Sequence, residues 1–196
     1  MRSKIQGTST VPKGLQKAIT AFLTEPSAKV HQVLHSKLRQ RMARWDFGDV
    51  PIGHAVFRAE LRLRYLNRKV RPAVHAVYIK TLLNGWTTAR RMRTLNLNGS
   101  NGVARARRKC VFCVRGDDSL EHMPRCIIVK NLFLKHCCSC NSLLHFFALD
   151  QNSFPLLFVT KVKLLSVLFT VYNALTHSDV TLNVHTLIHA AEVSIL

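Results

Sequence analysis

The chain has 196 residues, 47% of them hydrophobic, and a formal charge of +19. That apolar content argues against wholesale disorder and allows one or two domains with a real core. The first ten residues, Met1 to Thr10, hold no apolar run and no cleavage-like site, so the sequence predicts an intracellular chain, nuclear or cytoplasmic and not secreted. Its six cysteines are then expected as metal ligands or free thiols, since three disulfides would need a secretory context.

Taken in order, the elements read as mainly α. Val11-Pro12 to Leu23 suits a short helix that Glu25-Pro26 breaks, and residues 1–27 form a poorly ordered or short-helical lead. From Ala28 to Trp45, Val30, Leu34, Leu38 and Met42 recur at four-residue steps, which is the period of a helix with one apolar face. Val50 to Gly53 is a break. His54 to Lys69 predicts a helix with Phe57, Leu61 and Tyr65 as its core stripe and Arg58, Arg62, Arg64 and Arg68 on the other faces. After Arg71-Pro72, a further helix is expected from Ala73 to about Arg93, turning Val74, Val77, Tyr78, Leu82, Trp86 and Ala89 inward, with Gly85 weakening its middle. Residues 28–95 thus read as a basic helical region, followed by a basic loop over 96–109 that opens with Asn96 to Gly102.

Charge is divided unevenly. Residues 1–109 hold 23 Lys and Arg against Glu25, Asp46, Asp49 and Glu60, whereas 110–196 are balanced at 6 and 6. The cations cluster at Lys37 to Arg44, Arg58 to Arg71, Arg90-Arg91-Met-Arg93 and Arg105-Ala-Arg107-Arg108-Lys109. Such a concentration predicts a polyanion-binding surface, with RNA or DNA the commonest partner and an anionic membrane surface the second. Arg90, Arg91, Arg93, Arg105, Arg107, Arg108 and Lys109 are the expected contacts, because arginine pairs with phosphate in a bidentate way. A set of solvated helix faces is the plainer alternative.

The segment 110–126 carries the chemistry. Cys110, Cys113, His122 and Cys126 make a C-x2-C-x8-H-x3-C array, four soft ligands of the kind a tetrahedral Zn2+ site uses. Lys109, Arg115 and Arg125 flank it and favour the thiolate forms that bind metal. Two features complicate the array. Pro124 falls between His122 and Cys126, so a helix there starts either after Ser119 or at Pro124. Cys137 and Cys140, part of Cys137-Cys138-Ser-Cys140, offer a second C-x2-C that would join Cys110 and Cys113 in a four-cysteine site and leave His122 idle.

Residues 127–196 predict an apolar helical region. Phe154 to Leu175 is long enough to suggest a membrane span, but Lys161 and Lys163 lie within it and the uninterrupted run from Leu164 to His177 is too short to cross. A helix buried on most sides is expected instead, with Val162, Leu165, Phe169 and Tyr172 on one stripe and Leu164, Leu168, Val171 and Leu175 beside it. Thr181 to Leu196 would be a last helix packing through Leu182, Leu187, Ile188, Ala191 and Ile195.

The ligand array, with Ser119-Leu-Glu-His122 ahead of its last cysteine and Leu82-Leu-Asn-Gly-Trp-Thr-Thr-Ala-Arg-Arg91 before it, resembles the zinc-binding tail that follows the reverse transcriptase in open reading frames of non-LTR retrotransposons. The resemblance covers about residues 74–180 and falls on Cys110, Cys113, Glu121, His122 and Cys126. It implies a zinc site at those ligands and a nucleic-acid-binding fragment without the polymerase. Gly116 stands two residues later than the family's usual glycine, and Pro124 is outside its pattern. Gly116-Asp117-Asp118 imitates a polymerase motif, yet it has no apolar strand after it and no partner aspartate before it, and no glycine-rich phosphate loop is present, so a non-enzymatic chain is expected. The alternative is a zinc-stabilised structural or interaction protein, or a retroelement remnant that binds no nucleic acid. The sequence leaves the oligomeric state open.

Overall fold

The computed structural model describes residues 28–89, 109–150, 155–178 and 182–196. Among them the protein is mainly α: helices α1 (Ala28–Met42), α2 (Ile52–Leu66), α3 (Pro72–Leu82), α4 (Ile127–Lys135), α5 (Leu143–Phe146), α6 (Pro155–His177) and α7 (Val184–Ile195), with a 3-10 turn at Met123–Arg125. The expected lead over 1–27 and the loop over 96–108 lie outside the described residues.

Helix α6 is the axis of the fold. It packs most extensively on α7 and α3, and α4 also rests on it. Its buried residues, from Phe158 and Val162 through Leu164, Leu165, Val167 and Leu168 to Val171 and Tyr172, point in nearly every direction, as an apolar helix with no polar face must when it sits in a core. By length and composition alone it could also cross a membrane; in this fold 56% of its most apolar 18-residue window is buried by its neighbours. Lys161, 1% exposed, is neutralised by Asp150 at 2.8 Å.

The first three helices build a layer against it, and two expectations are corrected there. Helix α2 buries Ala55, Val56, Ala59, Leu63 and Leu66, not the Phe57–Leu61–Tyr65 stripe, whose members are exposed. Two apolar arcs compete on this helix, and the arc holding Ala55 and Ala59 offers α1 a closer approach than a face of three large rings and branches. Helix α3 stops at Leu82 instead of running to Arg93. Asn84 takes a left-handed φ of 52° and donates to Thr81 O at 3.0 Å, while the Gly85 N–H reaches back to Lys80 O, a Schellman ending. Gly85 therefore terminates the helix; a Cβ there would stand 2.8 Å from Lys80 O. Trp86 is nonetheless in the core, fully buried, with its ring against Phe146, Phe169 and Tyr172 and its Nε1–H donating to Thr81 Oγ1 at 3.0 Å.

The buried run Phe147–Leu149 follows α5 as non-helical backbone, so its carbonyls need donors. Tyr78 Oη supplies one to Phe147 O at 3.0 Å, Arg58 one to Leu149 O at 3.2 Å and Arg62 one to Asp150 O at 3.3 Å. Arg62 also lies over the Phe158 ring, 4.4 Å from its centroid. Two arginines that the sequence places on a polyanion surface thus serve the fold.

Helix α7, capped by Asn183 through the N–H groups of His185 and Thr186, closes the other side. Its Glu192 is buried and receives Lys135 Nζ at 2.9 Å and His136 Nε2 at 2.6 Å from the end of α4.

Two outcomes follow from these buried charges. Asp150→Ala removes the carboxylate beside the buried Lys161 ammonium and should cost about 3 kcal/mol in urea unfolding, more than Lys161→Met, which leaves the better-hydrated partner. Burial alone would raise the Glu192 carboxyl, but the hydrogen bonds from His136 and Lys135 outweigh it and hold the group below the usual carboxylate range. A depressed folded pKa means the stabilisation is complete above the unfolded value and is lost as pH falls through the folded one. Melting temperature followed from about pH 6 to pH 3 should therefore fall less steeply in Glu192→Gln, from a lower starting point, than in the parent.

Candidate metal centre

The C-x2-C turn opens the knuckle. An antiparallel bridge pairs Lys109 with Asp117, Cys110 N–H donates to Gly116 O at 3.0 Å, and Val114 N–H, from a residue at φ 56°, returns to Cys110 O at 2.9 Å. The turn closes on itself within eight residues. Its second half depends on Gly116, which has φ 70° and faces the His122 ring so closely that a Cβ would lie 2.5 Å from Cε1 and Nδ1. Gly116 is thus the residue that makes room for the imidazole.

His122 enters on a second turn. Ser119 Oγ accepts its backbone N–H at 3.2 Å, and Pro124 occupies the first turn of the 3-10 segment Met123–Arg125, where a missing N–H costs nothing. The two helical options over 119–126 are both replaced by this tighter turn. Cys126 follows in extended conformation, φ −69° and ψ 121°, as the N-cap of α4. Its Sγ lies where the Ile128 and Val129 N–H groups can donate to it, just as Cys110 Sγ is served by the Phe112 and Cys113 amides.

These turns bring Cys110, Cys113, His122 and Cys126 together, with all four ligand atoms within 4.8 Å of one another. Cys110 Sγ and Cys126 Sγ are 3.9 Å apart, and Cys113 Sγ and His122 Nε2 are 3.3 Å apart. A tetrahedron with metal–sulfur bonds of about 2.3 Å and a metal–nitrogen bond of about 2.0 Å has edges of about 3.8 Å between sulfurs and about 3.5 Å from sulfur to nitrogen. The donor set and its spacing fit such an ion. The cluster can hold a metal ion, with Cys110 and Cys126 buried and Cys113 and His122 half-buried. Cys126 is held well below the ordinary thiol range, first by the Cys110 thiol and then by the Val129 and Ile128 amides; Cys110 moves the opposite way, through that same contact and its burial.

The second C-x2-C does not join it. Cys137 is exposed on a residue with φ 55°, Cys138 Sγ points to His136 O at 3.4 Å, and burial pushes the Cys140 thiol up to about 12. Among the described residues, the four knuckle ligands are the one such cluster.

Beneath the knuckle lies a residue whose role the sequence hides. Asp118 is 2% exposed, and its Oδ2 accepts from Ala89 N–H at 2.7 Å and from the Tyr172 hydroxyl at 2.9 Å. Its carboxylate, which the sequence could offer only as an imitation polymerase aspartate, fastens the knuckle to α6 and to the strand of chain after α3. Burial and that neighbouring carboxylate push the Tyr172 phenol up. Phe112 lies against Tyr172, ring centroids 6.3 Å apart, on the same interface. A buried tyrosine in α6 paired with an acidic residue in the knuckle would have been the only hint in the sequence.

Of the expected nucleic-acid contacts, Lys109 is described and exposed, alongside exposed Arg115 and Arg125; Arg90, Arg91, Arg93, Arg105, Arg107 and Arg108 lie outside the described residues. No family model, curated protein or solved structure matches the chain.

The packing of Gly116 on His122 makes a direct test. Gly116→Ala should weaken metal binding about 10-fold to 100-fold in a chelator competition by displacing one ligand while leaving all four in the sequence. Cys138→Ser, outside the cluster, should leave it unchanged.

Proposed function

We propose that this chain is a non-catalytic nucleic-acid-binding protein whose knuckle is held by one zinc ion at Cys110, Cys113, His122 and Cys126, in the manner of the tail beyond the reverse transcriptase of non-LTR retroelements. The observation that carries the zinc assignment is the donor set at tetrahedral spacing, 3.9 Å between two of the thiols and 3.3 Å between the third and the imidazole. Three thiolates and one imidazole are soft to borderline ligands that suit zinc and exclude magnesium or calcium. Four protein ligands leave no open position for a substrate, so the ion's chemistry would be structural: it replaces the core that a loop of this size cannot build.

Nucleic acid enters through charge. The whole formal excess of +19 arises in residues 1–109, and Lys109, Arg115 and Arg125 ring the knuckle in solvent. A phosphate backbone complements such a surface without any base contact. A zinc-stabilised interaction protein is the second reading, favoured by one observation: Arg58, Arg62 and Arg71 spend their guanidinium groups on carbonyls of the fold, so part of the positive charge has a structural use.

Salt titration separates the two. With zinc-loaded protein and single-stranded RNA or DNA, log affinity should fall linearly with log salt, by roughly 0.7 per phosphate contact, between about 50 and 200 mM. Changing Arg90, Arg91 and Arg93 together to Gln should make that slope shallower by up to about 2 and weaken all sequences alike. Binding that is missing at low salt, or insensitive to salt, would leave the interaction-protein reading in place.

A further inference from the structure

Helix α2 has two apolar faces, and one of them is in solvent. Phe57, Leu61 and Tyr65, each one turn from the next, are 57%, 47% and 38% exposed. Adjacent large apolar side chains left in water mark a contact surface.

What that surface fits is set by the charges standing among the rings. Arg64 and Arg68 are exposed on the same face: Arg64 falls between Leu61 and Tyr65, and Arg68, seven residues beyond Leu61, comes nearly in line with it. Exposed His54, seven residues before Leu61, extends the line at the other end. Glu60, the one acidic residue of α2, is buried on the opposite side, 3.0 Å from His35 Nδ1. Cations therefore alternate with apolar groups inside the stripe. A helix that lies on a membrane, or docks into a protein groove, keeps its apolar face unbroken and its charges to the sides. A single strand of nucleic acid has the matching alternation, with bases that stack on rings and phosphates that pair with arginine.

The stripe is also held in place. Tyr65 packs on Phe158, ring centroids 5.8 Å apart, and a groove of about 410 Å³ runs beside Tyr65 and Leu61, walled further by Arg58, Arg62, Asp150 and Pro155. Arg58 and Arg62 are pinned to Leu149 O and Asp150 O, and Lys161 neutralises the Asp150 carboxylate at 2.8 Å, so the groove does not repel an anion. A ring fixed beforehand loses little entropy when a base stacks on it.

We propose, resting on the nucleic-acid reading above, that this face of α2 is a stacking platform for single-stranded nucleic acid. Phe57 and Tyr65 each take a base, and Arg64 and Arg68 take phosphates of the same strand. The two rings stand about 12 Å apart along the helix axis, farther than stacked neighbours, so the strand lies stretched along α2. Stacking accepts every base, whereas a duplex keeps its bases inside and gives these rings nothing to hold.

Titration of the zinc-loaded full chain with oligothymidylate, and with a duplex of equal length at the same salt, tests this. Phe57 is the most exposed of the three, so Phe57→Ala should melt close to the parent. It should weaken single-strand binding roughly 5-fold to 100-fold and leave duplex binding unchanged. Its salt slope should match the parent's, since no phosphate contact is lost; Arg64→Gln combined with Arg68→Gln should instead make the slope shallower by about 1.4. Phe57→Leu, which keeps apolar bulk without the ring, should bind as poorly as Phe57→Ala. Irradiated oligonucleotide carrying 5-bromouracil should cross-link to the tryptic peptide that begins at Tyr65. Single-strand affinity in Phe57→Ala equal to the parent's would overturn the platform and leave the charge-based reading standing, while a parent that binds no nucleic acid would remove both. Parent-like binding in Phe57→Leu would make the face a plain apolar contact for a protein or a membrane, and cross-links confined to other peptides would place the strand elsewhere; either result overturns the proposal.

Discussion

A buried carboxylate joins the two halves of this structure. Asp118 belongs to the knuckle, yet its side chain is inside the helical core, where a polar group is tolerated only when hydrogen bonds replace its water. The Ala89 amide and the Tyr172 hydroxyl supply them. Because Asp118 is fixed, Gly116 and Ser119 on either side of it are fixed too, and these two residues place His122, one by making room and the other by accepting its amide hydrogen. The geometry of the ligand cluster is thus inherited from a buried hydrogen bond with α6, not from the cysteines alone.

The division of labour between metal and core follows from size. Besides the ligands Cys110 and Cys126, residues 110–126 contribute Phe112, Leu120 and Met123 to the core, too few to fold a loop of that length unaided. Cys110 and Cys126 sit deep, on amide pairs that point at their sulfurs, while Cys113 and His122 close the site from the solvent side. A metal ion would therefore tie the outer turn to an inner one that the core already holds. Above it the chain keeps its exposed cations, Lys109, Arg115 and Arg125, where solvent can reach them.

Much of this was legible in the residues. The fold class, the five helices α1, α2, α3, α6 and α7, and the C-x2-C-x8-H-x3-C array rest on short-range periodicity and spacing, which one sequence displays. Three things needed the third dimension. Which of two apolar arcs α2 buries depends on the approach of α1, and the bulkier arc, the more conspicuous in sequence, faces outward. The end of α3 turns on Asn84 adopting a left-handed φ ahead of Gly85, a choice that helical periodicity through Trp86 obscures. Arg58 and Arg62 read as surface charge because the carbonyls they satisfy lie about ninety residues away along the chain. Long-range polar pairing, Asp118 with Tyr172 above all, leaves no local signature.

Zinc K-edge X-ray absorption on the purified, metal-loaded chain tests the central claim most directly, because it reports ligand type and distance together. The account predicts one ion with three sulfurs at about 2.3 Å and one nitrogen at about 2.0 Å. Four sulfurs would move the second C-x2-C into the site, a shell of oxygen and nitrogen alone would mean adventitious binding, and either result would contradict the Cys110, Cys113, His122 and Cys126 centre.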